Sequence, residues 1–197
     1  MTLRVGLLGT GGIGARHADA VAKIDGMELV ACCGRDPQGT TGFAKPRGAV
    51  AYTDFSTMMD RERLDLLIVA LPPFAHSGQV EAVARAGVHL LVEKPIALDM
   101  EKAASMVSAT TNVVAACGFM YRFGAAVERW DALRASGKTG RIAHFSGSFH
   151  CNALHAPWWR DRSKSGGQMV EQLIHIVDLA RSNLGMPRSV FASATRF

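Results

Sequence analysis

The sequence predicts an α/β fold built on a doubly wound parallel sheet, followed by the start of an α+β domain with an open sheet. Three observations predict it. A short apolar run, Leu3-Arg4-Val5-Gly6-Leu7-Leu8, passes directly into Gly9-Thr10-Gly11-Gly12-Ile13-Gly14 and then into a helix-forming stretch from Ala15. Strand and helix signals then alternate to about residue 120, the rhythm of parallel strands joined by helical crossovers. Beyond that point the rhythm breaks, and glycine, serine, tryptophan and histidine gather between Ser146 and Gly167. The expected division is therefore 1–120 and 121–197.

The opening loop carries the most information. Its G-x-G-x-x-G spacing falls on Gly9, Gly11 and Gly14. Gly9 suits the tight turn, Gly11 lets backbone approach a pyrophosphate, and Gly14 lets helix and strand pack closely. The helix start adds unpaired N–H groups and a positive dipole end, so Thr10, Gly12 and Ile13 join the glycines as predicted cofactor contacts. This is the Rossmann pattern of dinucleotide binding.

The remaining elements follow in order. Asp25-Gly26 turns the chain into a second strand over Met27–Cys33, closed by Arg35-Asp36-Pro37-Gln38-Gly39. A short strand is expected at 49–52, then a helix through Met58-Met59. Residues 64–71 form a long apolar run, the mark of a strand buried on both faces, and Pro72-Pro73 ends it. A helix is predicted over 77–86 with Gly87 as its stop, then strand 88–92, helix 100–108 capped by Asp99, and strand 113–117. In the second part, 141–149 and 189–197 read as strands. Between them, 168–184 reads as a helix ended by Gly185.

Composition narrows the function classes. Of 197 residues, 48% are hydrophobic and 20% charged, which is globular material with enough chain to bury a core. The net charge of +5 suits anionic ligands. The chain has no lysine- or arginine-rich run and no aromatic platform, so no nucleic-acid partner is predicted. No apolar stretch approaches the ~20 residues of a membrane span. Met1-Thr2-Leu3-Arg4 lacks a charged region ahead of a long apolar one, so no secretory signal is expected. A cytoplasmic protein without a membrane partner is expected. Cys32, Cys33, Cys117 and Cys151 form no C-x-x-C and read as reduced packing residues, with Cys32 and Cys33 pointing to opposite faces of a strand. His150 and His155 lack a third ligand at sensible spacing, so no metal is predicted.

Two further patterns bear on chemistry. At ~100° per residue, Glu171, His175 and Asp178 fall within about 60° of one another. Met169, Leu173, Ile176 and Ala180 lie on the other side. The helix should pack by that apolar stripe and present an acid–imidazole–acid row to solvent or to a site. A histidine there can accept a proton as an alcohol becomes a ketone, oriented by a carboxylate one turn earlier. The same row also fits an ordinary solvated helix face. The second pattern concerns the end of the second strand, where NAD-specific folds place an acid. Here Gly34 and Arg35 occupy it, which leaves room and a cation for a 2′-phosphate and favours NADP. The neighbouring Asp36 keeps NAD open.

Three segments together give a resemblance: the glycine loop, Glu93-Lys94-Pro95 after a buried strand, and Gly166-Gly167 followed by Glu171, His175 and Asp178. In this order the chain resembles the Gfo/Idh/MocA family, which includes glucose–fructose oxidoreductase and inositol dehydrogenase. The resemblance implies an oxidoreductase that moves a hydride between a nicotinamide dinucleotide and a sugar, cyclitol or polyol. It implies a C-terminal domain that shapes the substrate site and often the oligomer interface.

It also assigns residues. Lys94 would sit beside the nicotinamide and the substrate hydroxyl, with Glu93 next to it. His175 and Glu171 would join it in catalysis, although the family usually has Asp at the latter position. Leu71, Pro72 and His76 match a segment beside the nicotinamide ribose, where His76 either touches cofactor or caps a helix. Arg122, in Tyr121-Arg122-Phe123, reaches either cofactor and substrate or a structural salt bridge. Trp158, Trp159 and Arg160 border the expected substrate pocket or simply pack. The expected substrate set is Lys94, Trp159, Arg160, Glu171 and His175.

Family members are longer, and only the beginning of the second domain is expected here. The alternative is therefore a non-catalytic dinucleotide-binding protein, a sensor or a subunit. An incomplete sheet also leaves an edge and an apolar face to cover, which predicts a homo-oligomer.

Overall fold

The short apolar runs of the first part become six parallel strands in a computed structural model, which describes residues 2–151, 156–193 and 195. They are β1 (Leu3–Leu8), β2 (Met27–Cys33), β3 (Val50–Tyr52), β4 (Leu66–Val69), β5 (His89–Val92) and β6 (Ala115–Cys117), in the order β3-β2-β1-β4-β5-β6. Every pair is parallel. The order reverses between β1 and β4, and loops leaving the carboxyl ends of those two strands flank the crevice where such sheets bind ligands.

Five helices supply the crossovers: α1 (Gly12–Val21), α2 (Pro37–Ala44), α3 (Phe55–Arg61), α4 (Gln79–Arg85) and α5 (Met100–Ala109). Alternation along the strands sorts their side chains onto two faces. Val5, Leu7, Cys32 and Ile68 pack with Ala18 and Val21 of α1 and Ala44 of α2. Leu8, Cys33, Leu67 and Val69 pack with Met58 of α3, Val80 and Val83 of α4 and Met106 of α5. Cys32 and Cys33 are thus on opposite faces, as the sequence predicts.

Asp36, Asp54 and Asp99 cap α2, α3 and α5 by accepting the N–H groups of Gly39, Thr57 and Lys102 at 2.6–2.7 Å. Helix α2 corrects the sequence reading, which treated 35–39 as a closing turn. Asp36 at the cap with Pro37 in the first turn is a helix-start signature.

The second part contains α6 (Ala125–Ala135), a short α7 (Arg162–Ser165), and a π turn over Met169–Leu173 that runs into α8 (Ile174–Leu184). Trp130 Nε1 donates to Asn183 Oδ1 at 2.6 Å and ties α6 to α8. Among the described residues neither expected strand forms here. Residues 141–149 and the described part of 189–197 enter no ladder and make no backbone–backbone hydrogen bond among the described residues. An apolar alternation becomes a strand only where a neighbouring strand supplies N–H and C=O partners. His155 and the last two residues of the chain lie outside the described residues. No helix among the described residues is long and apolar enough to cross a membrane.

Candidate active site

Strand β1 ends at Leu8 and α1 starts at Gly12, so the chain must turn within three residues. Gly9 does so at φ +105°, where a Cβ would also stand 2.5 Å from the Ala70 carbonyl oxygen. A Cβ at Gly14 would stand 2.0 Å from the Gly9 carbonyl oxygen, so helix and loop touch there through backbone alone. Gly11 and Gly12 face open space, and no side chain caps the start of α1. The N–H groups of the first turn have no intrahelical acceptor. Ile13 is half exposed at the same mouth. These residues fit a pyrophosphate: open room, free amides and a positive helix end.

The end of β2 departs from expectation in its cause. A Cβ at Gly34 would stand 2.6 Å from Thr10 Oγ1 and 2.5 Å from Thr40 Oγ1. Gly34 therefore reflects close packing against two threonines. Arg35 beside it is exposed, while the Asp36 carboxylate is occupied by the Gly39 N–H.

Lys94 follows β5 at the same edge of the sheet, with a cis peptide bond before Pro95. Its ammonium donates to Glu171 Oε1 and to the Glu171 carbonyl oxygen, both at 2.9 Å. Glu171 is buried and Lys94 half-buried, and Glu171 Oε2 has no hydrogen-bond partner among the described residues. Burial pushes the Glu171 carboxyl above its ordinary range, against the opposing pull of Lys94. His175 stands one turn further on. Its ring stacks on Tyr121 at 4.6 Å between centroids and meets the edge of Phe119 at 6.3 Å. Burial, and then the Lys94 charge, hold the imidazole below its ordinary value. Asp178 accepts two N–H bonds from Arg122, one of them at 2.6 Å from Nε. Of the two roles open for Arg122, the structure shows the salt bridge.

Of the two settings open for the polar row, solvent or a site, the structure shows an inward one, and it corrects the expected packing stripe at Met169. Glu171, His175 and Asp178 are all 5% exposed or less, while Met169, on the stripe expected to pack, is 58% exposed. The polar row faces inward because Lys94, Tyr121 and Arg122 wait there as partners. The π turn begins this segment, so Glu171 and His175 do not share one regular α-helical phase.

The remaining predicted residues ring this edge. Leu71 packs on the apolar core and Pro72 precedes the 3₁₀ turn Pro73–Ala75, which His76 closes. Both His76 ring nitrogens are buried without a hydrogen-bond partner among the described residues, and burial lowers its pKa. The Trp158 ring meets Phe74 at 5.7 Å and Trp159 at 5.8 Å. Trp158 and Trp159 are half-buried, whereas Arg160 is exposed. An open cavity of about 660 Å³, lined by Phe149, His150, Gln168 and Gln172 among others, lies beside the π turn.

One contact escaped the sequence reading. His17 Nε2 and Glu93 Oε1 are 2.8 Å apart, across 76 residues of sequence. The signal was in the helix phase. Gly14, Ala18 and Val21 are the buried residues of α1, and His17 lies one turn from Gly14 and from Val21.

Comparison with known proteins fits this geometry. Residues 3–118 match the oxidoreductase family model with an NAD-binding Rossmann fold, and 127–197 match a C-terminal domain model of the same family. Inositol 2-dehydrogenase of Rhizobium meliloti is 33% identical over 98% of this chain and 59% of its own length. Glucose-6-phosphate 3-dehydrogenase of Bacillus subtilis is 30% identical over 89% of this chain and 52% of its own. The WlbA dehydrogenase of Bordetella pertussis, solved with NADH and UDP-GlcNAcA, superposes with a TM-score of 0.79 at 29% identity, covering 93% of this chain and 56% of that one. The chain therefore spans between half and three-fifths of the length of these relatives. A glycine cradle at the switch point, a Glu-Lys-Pro at the end of β5 and a matched model over more than half the residues lead to one conclusion: this chain belongs to the Gfo/Idh/MocA oxidoreductase family.

Proposed function

We propose that this chain carries the cofactor cradle and the proton-handling residues of an NAD(P)-dependent dehydrogenase acting on a CH–OH carbon of a sugar, cyclitol or related polyol. The observation that carries the reading is the pair of half-buried Lys94 and buried Glu171 at 2.9 Å with His175 one turn away, at the edge where the glycine loop opens.

The Rossmann loop would hold the pyrophosphate by the amides of 11–14, with Thr10, Leu71, Pro72, His76 and Glu93 along the rest of the dinucleotide. The bound nicotinamide supplies the hydride acceptor or donor. Everything else falls to side chains. Glu171 holds the Lys94 ammonium in one place, and that ammonium can donate a hydrogen bond to the reacting oxygen. His175, held neutral at pH 7 by its surroundings, can take the proton from the hydroxyl. Trp159 and Arg160 would meet the far side of the substrate.

An exposed Arg35 and an Asp36 already engaged support NADP ahead of NAD. A division into 1–120 and 121–197 belongs to the same reading. Val190 and Phe191, 81% and 93% exposed, support association into a homo-oligomer, which light scattering would test. A cytoplasmic setting belongs to the same reading, and the Cys32 and Cys117 thiols, which burial pushes to about 11 and about 12, stay inert in any compartment.

The test is Lys94→Ala against the unaltered chain, with nicotinamide reduction followed across a polyol panel. Turnover should fall by about a hundredfold to ten-thousandfold. Unchanged turnover would remove the assigned role. Tight dinucleotide binding with no turnover of any polyol would favour a sensor or subunit.

A further inference from the structure

The geometry points to His17 as a positioning residue that ties the phosphate cradle to the reacting lysine through Glu93. Its bearing on turnover rests on the dehydrogenase reading above, whereas the anchoring itself does not.

Glu93 is held on three sides. Its N–H donates to the Val69 carbonyl at 2.9 Å, which fixes its backbone beside β4. Its Oε1 meets His17 Nε2 at 2.8 Å, and its Oε2 accepts the Lys94 N–H at 3.2 Å. A Cβ at Gly118 would stand 2.9 Å from the carboxylate, so the end of β6 closes the third side. The His17 and Glu93 side chains are 19% and 15% exposed. His17 sits on α1, whose first turn is the cradle. One carboxylate therefore spans from that helix to the peptide of the lysine. Removing the imidazole leaves a half-buried carboxylate with one contact fewer and free to turn, and the Lys94 N–H then loses its acceptor. Charge adds to the effect, because Glu93 raises both the Glu171 and the His175 pKa. A displaced Glu93 would disturb the very groups that move the proton.

The experiment compares His17→Leu with His17→Gln, whose amide nitrogen reaches about where the imidazole Nε2 stands. The first readout is amide hydrogen exchange at Lys94 in the unliganded chain, followed by NMR. The second is kcat against KM, with NADH and NADPH affinity measured by fluorescence. In H17L, Lys94 exchange should quicken and kcat fall by at least about tenfold, while KM and cofactor affinity stay within about threefold. H17Q should restore both. Unchanged exchange in H17L would overturn the proposal. So would quickened exchange with full kcat, or H17Q as impaired as H17L. If H17L does not fold, His17→Asn breaks the same contact with an amide too short to reach. If the unaltered chain turns over no polyol, the dehydrogenase reading falls, and the exchange measurement alone decides the anchoring.

Discussion

The two parts of this chain are buried in opposite ways. Every buried apolar side chain among the described residues lies at or before Met106. Every buried residue beyond it is polar: Ser165, Glu171, Gln172, His175 and Asp178. The first part is a sheet with an apolar core on each face. The second part meets it through the Lys94–Glu171 ion pair and through the ring contacts Phe119–His175 and Phe74–Trp158, and leaves Met169, Val177, Leu184 and Phe191 outside. Burying charge is unfavourable unless each charge finds a partner, so such an interior is poor at stabilising a fold. It is well suited to hold titratable groups in fixed places. The difference teaches that the interior of the second part holds polar and titratable groups in place, and that the first part supplies the stability on which they rest.

The comparison breaks most easily at the core. Leu67→Ala, at a fully buried position of β4, should lower unfolding free energy by about 2–5 kcal/mol. Met169→Ala should change it by less than about 0.5 kcal/mol. Urea denaturation measures both. Equal losses would mean that α8 carries an apolar core of its own.

A sharper test lies in the Arg122–Asp178 pair, where exposure is lopsided at 44% and 3%. Arg122→Ala leaves a buried carboxylate without its partner and should lose about 1–3 kcal/mol. Asp178→Asn leaves a guanidinium that water already reaches, and keeps an acceptor oxygen, so its loss should stay under about 1 kcal/mol. A reversed ranking would show that water reaches Asp178. Trp130→Phe should lose about 1 kcal/mol, since it removes one hydrogen bond to Asn183.

What the sequence disclosed follows the same line between the two parts. Strand β4 was readable because a buried parallel strand is apolar throughout, and the cradle because only glycine serves at Gly9 and Gly14. Helix α2 was missed although Asp36-Pro37 announced it. The inward face of α8 was not readable in its own residues. On a helical wheel an acid–imidazole–acid row looks solvated, and its true partners, Lys94 and Arg122, stand 77 and 56 residues away from Glu171 and Asp178. Among the described residues the strands expected at 141–149 and 189–197 do not form, for a related reason. Alternation records a tendency, whereas a ladder needs a second strand. His17 and Glu93 were equally remote from each other, and only the fold joins them.

The finest test of the polar interior is the titration of His175. Burial is the first cause of its lowered pKa and the Lys94 charge the second, while Glu93 and Asp178 pull the other way. NMR titration should place its midpoint below the ordinary 6.5. The sign for stability follows from linkage. The folded chain prefers the neutral ring, so as pH falls from above 6.5 the unfolded chain binds the proton first and stability drops. Above the ordinary value both states hold a neutral ring, and this loss is absent. Lys94→Met removes the second cause and leaves the first. The midpoint should then rise and still remain under the ordinary value. A midpoint restored to 6.5 would mean that the ammonium alone depresses it, that the ring is well hydrated, and that the interior of the second part is wet enough to behave as surface.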